Sequence, residues 1–268
     1  VIDLHTHHQR CGHAEGTLEE MARAAHAAGV TIFGWSDHAP LFADADDHPK
    51  PGIQMARSQW DGYLAEAAQL RARLGPELPG LDLRIGVEAD YLPGTETSYR
   101  SALDRSELDY VLGSVHEVGP WHIFKPATLT SLDDIDGFHR GYWRALRDAA
   151  QSGLFDVLSH LDAIKAMVPA AEGDMTSEIQ ATLDCIADTG MAVEINGSGL
   201  SKADELFPAP ALVEALVRRD VPITLGSDAH RPAQIGRGFD EASALLARLG
   251  RTRVITYRER EAAWVDLP

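Results

Sequence analysis

The chain has 268 residues, 44% hydrophobic and 24% charged, with a formal net charge of −17. Its length suits a barrel of alternating strands and helices built as one domain over residues 1–268. The acidity argues against a nucleic-acid backbone or an anionic membrane as partner, since both require clustered Lys and Arg; a small phosphate ester stays compatible if bound cations invert the local field.

Short apolar runs predict strands at Val1–Leu4, Val30–Trp35, Leu81–Glu88, Tyr110–Val115, Phe155–Leu158, Ala192–Ile195 and Ile223–Leu225. Helical periodicity fills the intervals. Thr17 to Ala28 opens with a Thr-x-x-Glu capping box (Thr17, Glu20) and stops at Gly29. Ser131 to Ser152 places Ile135, Phe138, Tyr142, Leu146 and Ala149 on one face before Gly153. A third helix carries Ile179, Leu183 and Ile186 and ends at Gly190. The tail "TRVITYRERE AAWVDLP" reads as a short hairpin or edge strand. Such alternation predicts a parallel sheet with helical crossovers.

The connections are lopsided. From helix to strand they are tight, as at Gly29–Val30, Gly153–Leu154 and Gly190–Met191; from strand to helix they are long, as in "APLFADADDHPKPG" and "EVGPWHIFKPATLT". In parallel barrels and sheets, ligands bind where the long loops gather, at the carboxyl ends of the strands. Metal-binding side chains crowd that end. The first strand runs into His5 and His7, with His13 in the next loop, and the second reaches His38. The third carries Glu88, the fourth ends at His116, the fifth at His160, and the last at Asp228 and His230. In extended backbone, residues two apart share a face, so His-x-His and Asp-x-His each offer two donors to one site. Seven histidines and two carboxylates exceed what one tetrahedral ion takes and suit two or three ions. His8, His26, His48, His122 and His139 read instead as surface or packing residues, with His8 pointing away from His7. Cys11 and Cys185 form no C-x-x-C pair, and no stretch has the make-up of a signal peptide or bilayer span, so a reducing cytoplasm is expected.

The ordered set "DLHTH", "CGH", "SDHAP", "EADY", "GSVH", "SHLD" and "GSDAHRP" resembles the polymerase and histidinol phosphatase (PHP) superfamily, and within it the monofunctional histidinol-phosphate phosphatases. The resemblance implies a distorted seven-stranded (β/α) barrel holding three divalent ions, zinc, iron or manganese. It implies one ion on His5, His7, Glu88 and Asp228, a second sharing Glu88 with His116 and His160, and a third on His13, His38 and His230. The expected reaction is hydrolysis of a small phosphate monoester, L-histidinol phosphate foremost, with Glu88 bridging two ions. Asp37, Asp90 and Asp162 are candidates to orient the histidines, and Asp162 also to protonate the leaving group. Lys202, Arg231 and Lys165 are candidate phosphate contacts. The family often has Arg after "SGL", where this chain has Ser201 followed by Lys202. The rivals are a PHP phosphoesterase for another small phosphate or nucleotide, a non-catalytic PHP module kept for structure or interaction, and a metal-dependent amidohydrolase. The last would carry a bridging lysine on the fourth strand, which "DYVLGSVH" lacks.

Overall fold

The computed structural model describes residues 1–43, 46–47, 52–105, 107–125 and 132–267. Seven parallel strands lie side by side: β1 (Ile2–Asp3), β2 (Ile32–Trp35), β3 (Asp82–Asp90), β4 (Tyr110–Ser114), then β7 (Val157–Leu158), β8 (Ala192–Asn196) and β9 (Ile223–Gly226). β5 (Glu117–Val118) and β6 (Trp121–His122) form a small antiparallel ribbon in the loop after β4. The sheet closes on itself where Leu4 N–H donates to the Leu225 carbonyl (3.0 Å) and His7 N–H to that of Ala229 (2.8 Å). All seven strands expected from the apolar runs are present, and the architecture is a nearly closed parallel barrel wrapped by helices.

The helices follow the physical signals. Helix α1 (Leu18–Ala27) starts at Thr17, whose hydroxyl accepts from Glu20 N–H (3.2 Å) while Glu20 accepts from Thr17 N–H (2.7 Å). This reciprocal cap satisfies two N–H groups that a helix start leaves orphaned. Helices α2 (Trp60–Glu77) and α3 (Glu96–Leu103) follow β2 and β3. Helix α4 (Ile135–Gln151) begins at Asp134, which accepts from Gly137 N–H (2.7 Å); it starts later than the periodicity suggested, and Ser131 and His48 lie outside the described residues. Helices α5 (Thr176–Thr189), α6 (Gly199–Lys202), α7 (Pro210–Val217) and α8 (Phe239–Arg248) complete the wrap. The predicted tail hairpin is β10 (Arg253–Arg258) with β11 (Glu261–Asp266). It turns on Glu259 and Arg260, both at positive φ, which matches the right-handed strand twist. The hairpin covers the amino ends of the barrel strands: Arg84 Nε donates to the Tyr257 carbonyl (2.8 Å) and Tyr257 Oη to that of Asp156 (3.1 Å).

One aromatic ring fills much of the barrel's middle. Tyr110 projects inward across Gly34 and Gly86, where an added Cβ would lie 1.9 Å from its hydroxyl oxygen and 2.3 Å from its ring, respectively. Its hydroxyl donates to the Leu4 carbonyl at 2.6 Å. Small residues opposite a large one give the interdigitated layers that make a barrel interior a packed core. The other end of the barrel is left to polar side chains.

Candidate active site

At the carboxyl ends of the strands the nine candidate donors form one connected cluster. Glu88 lies at its centre. Its Oε1 is 3.0 Å from His160 Nε2 and 3.8 Å from His116 Nε2, and it accepts from Ser114 Oγ. Its Oε2 is 2.9 Å from His38 Nδ1, 3.4 Å from His5 Nε2 and 3.5 Å from His7 Nε2. Asp228 Oδ1 stands 3.2 Å from His7 Nε2, and His230 Nε2 lies 2.9 Å from His13 Nε2. The His7 ring stacks against those of both His38 and His230, with centroids 4.3 Å and 4.2 Å away.

Burial alone would raise the Glu88 carboxyl, but His38, His5 and His160 hold it well below the usual carboxylate range. Asp228 is likewise pulled down against burial, by Lys202 and then His7. Both are therefore anionic at neutral pH and available to a cation.

Three buried atoms test the fit of a metal: His5 Nε2, His7 Nε2 and Glu88 Oε2 have no hydrogen-bond partner. Buried polar atoms without partners are rare, and these three face one another. The donor sets His5–His7–Asp228, His5–Glu88–His160, His38–Glu88–His116 and His7–His38–His230 each bring their ligand atoms within 4.8 Å of one another. Imidazole and carboxylate in this mixture suit divalent transition metals. The residues fit such ions.

A supporting layer fixes the imidazoles. Asp37 lies 3.3 Å from His7 Nδ1 and 2.6 Å from His8 Nδ1, and Asp90 is 2.5 Å from His116 Nδ1. His8 does turn away from the cluster, but it is buried and tied to Asp37 rather than exposed. His5 Nδ1 faces Glu194 at 2.8 Å. Glu194 was missed from sequence, although a charged residue inside the apolar strand "AVEIN" is itself a signal. His26 is exposed and His139 donates to or accepts nothing from the cluster, its Nε2 meeting the Pro169 carbonyl at 2.8 Å. His122, by contrast, lines the cleft, its ring parallel to that of His116 at 5.8 Å.

The cluster forms the floor of a cleft of about 550 Å³, also lined by Phe124, Lys202, Arg231 and Arg237. Lys202 Nζ is 2.8 Å from Asp228 Oδ2. Arg231 is largely exposed and lies 3.3 Å from Glu15. Asp162 and Lys165, expected beside the phosphate, are not brought to this cleft. They pair with each other at 2.9 Å and line a separate shallow hollow, where Asp162 also accepts from Ala209 N–H (2.9 Å). The physical reason lies at His160, whose φ of 20° breaks the extended repeat, so a residue two further on no longer shares its face.

The PHP domain family model matches residues 3–198 of this chain. A protein of Deinococcus radiodurans named "Probable histidinol-phosphatase" is 36% identical over 97% of this chain and 98% of its own length.

The chain belongs to the PHP domain family.

Other family relatives agree at greater distance. The histidinol-phosphatase of Bacillus subtilis is 24% identical over 89% of this chain and 96% of its own. The crystal structure of histidinol phosphate phosphatase from Lactococcus lactis, complexed with zinc, L-histidinol and phosphate, superposes with a TM-score of 0.80. The alignment covers 98% of both chains at 22% identity, so it speaks for a shared PHP barrel.

Proposed function

We propose that this PHP protein hydrolyses L-histidinol phosphate to L-histidinol and phosphate, using three divalent ions drawn from zinc, iron and manganese. The observation that carries the chemistry is the convergence of nine donors from separate strands on one cleft floor, with His5 Nε2, His7 Nε2 and Glu88 Oε2 unpartnered. His5, His7, Glu88 and Asp228 would hold one ion, Glu88 again with His116 and His160 a second, and His13, His38 and His230 a third. When bound, such ions stabilise charge on phosphoryl oxygens and lower the pKa of water to near neutrality. The chain's own part is orientation. Asp37, Asp90 and Glu194 each face the far nitrogen of a ligand imidazole and so fix its tautomer and direction. Lys202 adds a positive charge beside Asp228 on the cleft wall.

The substrate reading leans on the Deinococcus relative's name, at 36% identity over nearly the full length of both chains. A second reading keeps the chemistry and changes the substrate. Among the described residues, the acids lining the cleft are Glu88 and Asp228, both engaged by histidines, which leaves no further carboxylate there for an amino-alcohol's ammonium. A relative from Vibrio cholerae, 29% identical over 97% of this chain, is named simply "Probable phosphatase". The test is phosphate release from L-histidinol phosphate, nucleoside monophosphates and a generic aryl phosphate by metal-loaded protein, with a chelated control. Preference for histidinol phosphate supports the first reading. Turnover of the other esters without it selects the second, and no metal-dependent turnover of any ester defeats both.

A further inference from the structure

Arg237 is a cation that lines the cleft and makes no ion pair among the described residues. The neighbouring cations are already engaged, Lys202 with Asp228 and Arg231 with Glu15. Arg237 is held by neutral acceptors instead: Nη1 donates to Ser201 Oγ (3.1 Å) and Nη2 to the Ser227 carbonyl (3.4 Å). Its Nε is buried without a partner. A partly buried guanidinium loses hydration, and neutral acceptors replace only part of what an anion would return.

The backbone that presents this side chain is firmly set. Gly236 and Gly238 flank it at φ of 76° and 79°, a left-handed conformation that side chains other than glycine's resist. Gly236 N–H donates to the buried Asp3 carboxylate at 3.3 Å. On the other side, the turn presses against Gly197, where a Cβ would come 1.7 Å from the Arg237 carbonyl oxygen. The turn is thus fastened to the loop after β8 and to the first strand. Through Ser227 the guanidinium lies next to the backbone that delivers Asp228 to the cluster. A planar fork with open donors, fixed beside a candidate metal centre, is matched in shape and charge to phosphoryl oxygens.

We infer that Arg237 is a substrate-binding residue whose guanidinium takes oxygens of the phosphate monoester, and afterwards of the phosphate product, with Ser201 holding it in place. This rests on the phosphatase reading above and adds to it a residue that determines affinity for the phosphoryl end.

The experiment measures inhibition by inorganic phosphate, together with kcat and KM, for Arg237→Met, Arg237→Lys and the double variant Arg237→Met/Ser201→Arg, each with its bound metal counted. Losing a charge-assisted hydrogen bond predicts that Arg237→Met raises the phosphate inhibition constant and KM by roughly 10- to 100-fold, with metal content unchanged. Arg237→Lys keeps the charge but not the fork, so roughly a tenfold rise is expected; it carries the test if the methionine variant does not fold. Because Ser201 Oγ touches Nη1, an arginine at 201 restores a guanidinium to the same wall, and the double variant recovers most of the lost affinity. An unchanged inhibition constant in the folded variants overturns the inference, as does a rise that tracks loss of metal. If the wild-type protein turns over an aryl phosphate but not histidinol phosphate, the substrate reading falls, and phosphate inhibition of that turnover still decides the role of Arg237.

Discussion

Glu194 Oε1 lies 2.8 Å from His5 Nδ1, so the imidazole that presents Nε2 to the cluster is gripped from behind by a buried carboxylate. The other oxygen of Glu194 accepts from His160 N–H (3.0 Å) and Asn196 Nδ2 (2.9 Å). One side chain therefore fixes the direction of His5 and the backbone of His160. Replacing it by Gln removes the charge and risks turning an N–H donor toward the Nδ1–H that His5 must keep. Glu194→Gln is expected to lower metal affinity or turnover by about 10- to 100-fold, the usual effect of losing such a partner. Metal titration of the chelated variant checks this, and wild-type affinity would sink the assignment.

Room for Glu194 is made by Gly226 on the adjacent strand. An added Cβ there would come 1.9 Å from Glu194 Oε1 and 2.4 Å from His5 Cβ. Gly226→Ala must push both, at about 1–3 kcal/mol for overpacking a close-packed site. The control is Gly113→Ala, where a Cβ would meet the Phe155 ring at 2.4 Å. Both substitutions are expected to lower the melting temperature. Only Gly226→Ala is expected to reduce metal content, and equal metal loss in both would refute a local role.

How far this site was readable from the sequence depends on backbone regularity. Where the chain stays extended, as from His5 to His7, the two-residue repeat puts both side chains on one face, and the reading of strand tips was sufficient. Asp228 and His230 also meet the cluster, but Asp228 has a φ of 51°, so a turn rather than an extended repeat brings them together. At His160 the same kind of departure carries Asp162 away. Loop residues gave no such rule. Arg237 lies beyond the last motif, between two glycines whose positive φ was not evident from composition. Glu194 was hidden for another reason: it supports a ligand from inside a strand instead of standing at its tip.

Tyr110 sets the barrel's internal layer below the site. Its hydroxyl donates to the Leu4 carbonyl at 2.6 Å, one residue before the first candidate ligand. Tyr110→Phe keeps the ring across Gly34 and Gly86 but leaves that buried carbonyl without this donor, at about 1–3 kcal/mol. The melting temperature should fall by several degrees with the fold retained. A melt indistinguishable from wild type would mean the carbonyl finds another donor.

Metal removal should couple to pH in a definite direction. Burial alone would lower His7, but the neighbouring Asp228 and Asp37 carboxylates raise it to about 9, and Glu194 and Glu88 raise His5 well above its ordinary value against its own burial. Desolvation, with repulsion from neighbouring imidazoles, lowers His13 to about 4 and His230 to about 2. In metal-free protein at pH 7.5, His5 and His7 therefore hold protons while His13 and His230 do not. A metal ion needs neutral imidazole, so reloading should release protons from His5 and His7, measurable by calorimetry in buffers of different ionisation enthalpy. The stability consequence has a sign. A histidine raised in the folded state stabilises it fully below the unfolded pKa, and that contribution is lost as pH climbs through about 9 for His7. Metal-loaded protein lacks this loss, because the ions occupy the same nitrogens. The gap in melting temperature between loaded and chelated protein should thus widen from pH 6.5 to pH 9 (~2.5 pH units). A gap that narrows over that range, with no protons released on reloading, would show that these imidazoles do not share their nitrogens between protons and metal.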